Sequence, residues 1–158
     1  MSKAADPPLK REPNWGKSPR DSIELECERR GKGKVVSGCM SLLNGKGADA
    51  ELIYALGGPP ARWVFTGGEP GPDYWVRVWA ARGLLWAWDD AALPCILNAL
   101  KDEAWRVREM ALRVVARHRL TGAASTVASL RDDPNSRVAS AAERAYARLA
   151  KSPDEDSS

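Results

Sequence analysis

The sequence predicts an all-α protein, a right-handed α-solenoid of helical hairpins with an irregular helical part on its N-terminal side. The same apolar pattern returns at one fixed interval, which we call the repeat period, and this is typical of stacked helical repeats. No run of residues alternates between apolar and polar as a half-buried strand does. The repeating positions are Val76, Ala80 and Leu84, then Val107, Ala111 and Val115, then Val138, Ala142 and Tyr146.

Irregular helices are expected in residues 18–66, ahead of the repeats. Ser18 can cap a helix that opens with Pro19, because a hydroxyl before a first-turn proline satisfies free backbone N–H groups. Asp49 can cap a later helix in the same way. The expected elements are a helix from Ser18 to Arg30, a break at Gly31 to Gly33, a helix at 35–43, a helix from Asp49 to Gly57, and a short turn that carries Trp63 and Phe65.

The repeats are expected in residues 72–150, after a loop at 66–72 that is rich in Gly and Pro. Each repeat period then holds two antiparallel helices. The expected helices lie at 73–88, 91–101, 105–119, 123–131 and 136–150. We treat 18–150 as one helical-repeat domain, between a flexible leader at 1–17 and an acidic tail at 151–158.

Composition argues against several classes of protein. Hydrophobic residues make up 44% of the 158 residues and charged residues 28%, with a formal net charge of +3, which is ordinary for a globular domain. We find no apolar run of the kind seen in signal peptides and membrane spans, and expect a cytoplasmic protein with no membrane partner. One His and three scattered Cys argue against a metal site or a catalytic triad, so we expect no cofactor and no enzymatic activity.

From Phe65 to Ala150 the chain resembles bacterial HEAT-like repeats of the short kind first noted in phycobilin lyases. The matching pieces read WVRVWAARGL, KDEAWRVREMALRVV and RDDPNSRVASAAERAY. The core pattern of that family, D-x-x-x-x-V-R-x-x-A, is complete once, at Asp102, Val107, Arg108 and Ala111. Gly71 replaces the acid in the first copy, and Ala139 replaces the arginine in the last.

The resemblance implies a structural role for the repeat arginine. It implies that Arg108 binds the acid of its own turn, Asp102, and that Arg77 uses Asp73 or Glu69 in the same way. Proteins with this repeat act chiefly by binding other proteins, and the expected partner is therefore a protein or an acidic peptide.

A second stripe lies one residue before the core positions of each repeat helix, and it is rich in Arg and Trp. Arginine there is either a solvated helix former whose stem covers apolar surface or a group that grips carboxylates and phosphates. The sequence leaves both interpretations open. The candidate binding residues are Arg82, Arg106, Arg113, Arg117, Arg137, Arg144, Arg148, Trp88 and Trp105.

Three other tryptophans and the single histidine have structural interpretations. Trp75, Trp79 and Trp86 lie on the flank of the first repeat, where they are expected to bury apolar area against the N-terminal helices. His118 falls on the buried side near a helix end. It is expected to bond backbone carbonyls there rather than to shuttle protons.

The leading functional hypothesis is a noncatalytic interaction or scaffold module that binds through the Arg-rich stripe. The alternative is nucleic-acid binding, which the arginines and Trp residues also suit. Trp86, Trp88 and the Asp89-Asp90 pair superficially resemble a cluster in alkylpurine DNA glycosylases built from HEAT-like repeats, but the turn there needs acids as caps. Bilin attachment is a third hypothesis, and it lacks a recognisable substrate pocket.

Overall fold

A computed structural model of the protein describes residues 17–47 and 49–151. This part of the chain contains nine α-helices and no β-strand, which confirms the all-α prediction. The helices are α1 Pro19–Arg30, α2 Lys32–Leu43, α3 Ala50–Gly57, α4 Trp63–Thr66, α5 Tyr74–Trp86, α6 Leu93–Ala99, α7 Trp105–His118, α8 Ala124–Leu130 and α9 Ser136–Ala150. Apart from residues 17 and 151, the predicted leader and tail lie outside the described residues.

The first helix begins as predicted, but the break after it is shorter. Ser18 Oγ accepts a hydrogen bond from the N–H of Asp21 at 3.1 Å, so one of the free donors of the first turn is satisfied. Gly31 alone separates α1 from α2, with a φ of 95° that favours glycine. The expectation that the break extends to Gly33 was wrong, because Gly33 already lies in α2.

The chain between α3 and α5 changes direction several times over a short distance. Asp49 caps α3 by accepting a hydrogen bond from the N–H of Leu52 at 2.9 Å, and Gly58, with a φ of 71°, ends the helix. A 3-10 turn at Pro59–Ala61 then leads into α4. Residues 67–73 form no helix, and they carry the chain to the first repeat helix.

The repeat helices form two layers. Helices α5, α7 and α9 lie side by side in one layer, and the shorter α6 and α8 pack on α7 and α9. A 3-10 turn precedes each of the short helices, at Asp90–Ala92 and Thr121–Ala123. The long helices begin at Tyr74, Trp105 and Ser136, and this equal spacing confirms the repeat period.

The core follows the repeating apolar positions, except at the ends of the stack. Val107, Ala111 and Val115 of the middle copy have no exposed area. Val76 of the first copy is only half-buried, and Tyr146 of the last copy is 39% exposed. Among the described residues no helix follows α9, so the outer side of the last repeat stays more open to solvent.

The N-terminal helices cover the outer side of α5. Helices α1, α2 and α3 all pack on α5. Trp79 is 6% exposed, and a Cβ built on Gly57 would lie 2.6 Å from its ring. Trp75 and Trp86 are only half-buried, although the guanidinium of Arg20 in α1 lies 5.2 Å from the Trp86 ring centroid. Burial against the N-terminal helices is therefore strongest at Trp79.

Candidate functional site

The repeat arginines bind the acid of the following repeat. Arg77 donates two hydrogen bonds to the carboxylate of Asp102 at 2.8 and 3.1 Å, and Arg108 donates two to Asp133 at 2.9 and 3.1 Å. Within its own turn Arg108 reaches a backbone oxygen, the carbonyl of Asp102 at 2.8 Å. Arg108 is therefore bound to its own turn as predicted, but through the backbone of Asp102 and not through its carboxylate, which binds Arg77. The exposed Asp73 comes only to 3.9 Å from Arg77.

Six of the predicted binding arginines lie along α7 and α9, and we call them the arginine face. They are Arg106, Arg113, Arg117, Arg137, Arg144 and Arg148. Nε of Arg117 donates to the carbonyl of Leu85 at 2.7 Å, and Nε of Arg148 donates to the carbonyl of Ala116 at 3.1 Å. Carbonyls in the last turn of a helix lack an intrahelical partner. These two arginines therefore join each long helix to the end of the one before it.

Two arginines of this face surround Trp105. The guanidinium carbons of Arg106 and Arg137 lie 4.4 and 5.2 Å from its ring centroid, a distance at which cations are attracted to an aromatic ring. Arg137 also binds the carboxylate of Glu109 at 3.0 Å. Trp105 is half-buried as a result.

Arg113 and Arg144 differ from the other members of the arginine face. Both are exposed, and neither makes a hydrogen bond or ion pair with any residue that the structure describes. They occupy equivalent positions of consecutive repeats, on the neighbouring helices α7 and α9. Two exposed cations on neighbouring helices, with no ion-pair partner among the described residues, favour the approach of anions.

Arg82 does not share this exposed surface. Its Nη2 donates to the carbonyl of Leu56 in α3 at 2.7 Å, and its Nε is buried without a partner among the described residues. Burial lowers the pKa of Arg82, and the charge of Arg113 lowers it further. The expectation that Arg82 presents an exposed head group beside Arg113 and Arg144 was wrong, because α3 covers it.

Trp88, in the turn after α5, forms a stacked pair with His118 at the end of α7. Their ring centroids lie 4.7 Å apart at an interplanar angle of 17°. Nε1 of Trp88 donates to Asp90 at 3.0 Å, and Nε2 of His118 donates to the carbonyl of Leu84 at 2.8 Å, as predicted for this histidine. Asp89 accepts a hydrogen bond from the backbone of the turn. Burial lowers the pKa of His118.

A pocket of about 490 Å³, which we call the tryptophan pocket, lies between residues 57–72 and α5. Trp63, Trp75 and Trp79 line it, together with Arg82 and the loop Glu69 to Pro72. The Trp75 and Trp79 rings stack with centroids 6.3 Å apart. Nε1 of Trp63 is buried and has no partner in the described part of the chain. The volume lies within the range of small-molecule sites.

Three features of the described residues concern metal ligands, thiols and membrane spans. No group of three His, Cys, Asp or Glu side chains among them is placed to hold a metal ion. The three cysteines are free thiols, and burial raises the pKa of Cys39 to about 12, so this thiol stays protonated at neutral pH. Of the helices described, none has the length and apolar character that crossing a membrane requires.

Sequence reasoning missed the tryptophan pocket and the pairing between repeats. The sequence predicts Trp75 and Trp79 only as buried contacts, although a Gly/Pro-rich loop close to them in sequence could have indicated a pocket. The pairing between repeats could have been predicted from the sequence, because Arg77 and Asp102 are 25 residues apart and Arg108 and Asp133 have the same separation.

A family model described as HEAT repeats matches residues 69–147, which is half of the chain. No curated protein and no solved structure shows a significant match to the sequence.

Proposed function

Because the chain belongs to the HEAT repeat family, we propose that it is a noncatalytic interaction module that binds an acidic protein segment through the arginine face. HEAT repeats typically serve as protein-interaction scaffolds. One observation carries the choice of surface: Arg113 and Arg144 are exposed, adjacent and without counter-charge among the described residues. Carboxylates of a partner can bind such guanidinium groups with two hydrogen bonds each.

The other arginines support this proposal by holding the surface in one shape. Arg117 is bound to a backbone carbonyl of α5, and Arg106 and Arg137 lie against the ring of Trp105. Side chains that are already ordered lose little conformational entropy when a partner binds. The face thus combines arginines that are held in place with two exposed charges, Arg113 and Arg144, that have no ion-pair partner among the described residues.

Nucleic acid is the alternative partner, since phosphates suit the same arginines. Proteins that bind single strands also offer aromatic rings on which bases stack. Trp88 is stacked on His118, and Trp105 lies beside two guanidinium groups, so the rings of both candidate binding tryptophans are already in contact with other side chains. Asp89 and Asp90 are engaged within their turn, which also weakens the likeness to a glycosylase cluster. These contacts favour a protein partner.

Binding of labelled poly-glutamate and of labelled duplex DNA, measured across salt concentrations, tests the proposal. Three proteins are compared: wild type, R113E/R144E, and the control K32E/K34E. The control changes net charge by the same amount, and its two exposed lysines lie in the first turn of α2, where acids are tolerated. The double reversal on the arginine face should weaken poly-glutamate binding by about tenfold or more, and the control should have little effect.

Two results would contradict the proposal. Equal losses of poly-glutamate affinity in R113E/R144E and K32E/K34E would mean that binding depends only on the net charge of the protein. DNA binding that is tighter than poly-glutamate binding, falls steeply with salt and is lost in R113E/R144E would favour the nucleic-acid alternative.

The repeat type and the cellular location complete the proposal. The short repeat period, from Val76 to Val107 and on to Val138, supports the phycobilin-lyase-like kind of HEAT repeat. Three free thiols support a cytoplasmic location, because the cytosol keeps cysteines reduced. Fractionation of the source cells tests the location directly.

A further inference from the structure

The tryptophan pocket adjoins the arginine face. The guanidinium carbon of Arg106 lies 5.4 Å from the ring centroid of Trp75, a wall of the pocket, and 4.4 Å from that of Trp105. Arg82, which occupies the position of Arg113 in the preceding repeat, lines the pocket. A peptide that binds the arginine face at Arg106 is therefore close to Trp75 of the pocket.

The walls of the pocket suit a large apolar side chain. Three indole rings line it, and the prolines Pro60, Pro70 and Pro72 add further apolar surface. Trp75 is only half-buried, so part of its ring is free for contact. Aromatic and large aliphatic groups gain most from such a site, because they remove the largest apolar area from water.

The charges at the pocket favour an anionic ligand over a cationic one. Glu69 and Arg82 are its charged lining residues. Glu69 is exposed and hydrated, whereas Arg82 is half-buried and contacts no carboxylate among the described residues. With Arg106 beside Trp75, two positive charges lie near the pocket against the one carboxylate of Glu69, and an anion beside the apolar group would neutralise the excess.

We infer that the tryptophan pocket receives one apolar side chain of an acidic peptide segment, whose flanking carboxylates bind Arg82 and the arginine face. This rests on the proposed function and specifies its partner: an apolar anchor residue with acidic residues on either side. The anchor supplies affinity from a buried centre, and the charges supply orientation.

Fluorescence anisotropy with two synthetic peptides tests the inference. In the first peptide a single Phe is flanked on both sides by Glu, and in the second a Ser replaces the Phe. Wild type should bind the Phe peptide about ten- to a hundredfold more tightly. This comparison needs no variant of the protein, so it does not depend on any substitution being tolerated.

Variants of three tryptophans show whether the preference for the Phe peptide depends on the pocket. W75A removes a pocket wall and should reduce the preference for the Phe peptide to less than about threefold. W86A is the control, because Trp86 is a half-buried ring of the same helix that does not line the pocket. It should keep the preference. W63F serves as a second pocket variant, and thermal unfolding confirms that each protein is folded.

The outcomes separate this inference from the proposed function. Equal binding of the two peptides to wild type overturns the inference, and a loss of both in R113E/R144E would leave the arginine face standing. A second outcome is that W75A removes the preference for the Phe peptide while R113E/R144E binds both peptides as tightly as wild type. This result would support the tryptophan pocket as the site of the apolar side chain and would overturn the arginine face as the binding surface. If neither peptide binds, both are overturned.

Discussion

Gly83 of α5 lies directly against Leu56 of α3. A Cβ built on Gly83 would come within 2.6 Å of Cδ2 of Leu56 and 2.8 Å of Sγ of Cys39. The equivalent positions of the next repeats hold Val114 and Ala145, which are buried against ordinary repeat neighbours. The glycine of the first repeat is therefore explained by the N-terminal helices, which approach α5 more closely than another repeat would.

Gly83→Ala should destabilise the protein although alanine is the better helix former. The added methyl overpacks the contact with α3, which costs about 1–3 kcal/mol, whereas the gain in helix propensity is at most about 1 kcal/mol. We expect a net loss measurable by urea unfolding. The matched control is Gly33→Ala in α2, where nothing lies within 4 Å of the added atom. The control should be neutral or stabilising, and the same sign for both variants would contradict the packing argument.

Ala111→Trp should be far more destabilising than Arg113→Glu, although the two positions are neighbours in α7. Ala111 has no exposed area and Arg113 is exposed. A large ring at the first position overpacks the core, which costs at least about 1–3 kcal/mol, whereas exposed substitutions stay within about 0.5 kcal/mol. Urea unfolding of both variants checks this. Comparable losses would show that the repeat positions are assigned to the wrong face.

Asp133→Asn should lower stability and change its dependence on pH. The carboxylate side chain is 5% exposed and paired with Arg108, so its loss should cost about 1–3 kcal/mol. Burial alone raises the pKa of Asp133, but the hydrogen bonds from Arg108 and from the backbone of Asn135 outweigh it, and the net pKa is lowered. The stabilisation is then complete above the ordinary value of 3.8 and is lost as the pH falls through the lower folded-state value.

Chemical unfolding between neutral pH and strongly acidic pH measures this window. The difference between wild type and D133N should stay constant down to about pH 5 and shrink below it. The double variant R108Q/D133N provides the control, because losses from two partners of one pair are not additive. Additive losses would show that the two side chains do not stabilise each other.

Local signals in the sequence were sufficient to predict the positions of most of the helices. Ser18 and Asp49 cap helices through bonds within a few residues, and the repeat period is visible without coordinates. The burial of Arg82 could not be predicted, because it depends on a carbonyl 26 residues away. The tryptophan pocket depends in the same way on how residues 57–72 fold back towards α5.

His118 should titrate below the ordinary histidine value of 6.5. Burial lowers its pKa more than the bond to the Leu84 carbonyl raises it. The unfolded chain therefore binds the proton more readily, and the stability contribution is present above pH 6.5 and lost as the pH falls through the folded-state pKa. Because the chain has one histidine, an NMR titration of its imidazole protons reads the value directly.

Trp88→Ala provides the control for this titration. It removes the ring stacked on the imidazole, so water gains access and the charged form becomes less unfavourable. The pKa of His118 should move back towards 6.5. An unchanged pKa would mean that the stacked ring does not cause the shift.

The fragment 72–158 should aggregate, because it lacks the helices that cover α5. Val78, Trp79 and Leu85 are all buried in the full chain, and the helices α1 to α3 pack on that helix. A repeat stack needs a polar surface at its end to remain soluble. Size-exclusion chromatography with light scattering should show oligomers for this fragment.

Trp79→Arg should improve the solubility of the fragment 72–158 but lower the stability of the full chain. In the fragment it places a charge on the newly exposed surface of α5, and the share of monomer should rise. In the full chain the arginine would lie against Gly57, which packs so closely on the native ring that a Cβ built on Gly57 would come within 2.6 Å of it. The free energy of unfolding should therefore fall by several kcal/mol, of the order seen for uncompensated buried charges. A soluble, monomeric wild-type fragment would show that the N-terminal helices are not needed as a cap. In that case the exposed apolar surface of α5 must be covered by rearrangement within the repeats themselves.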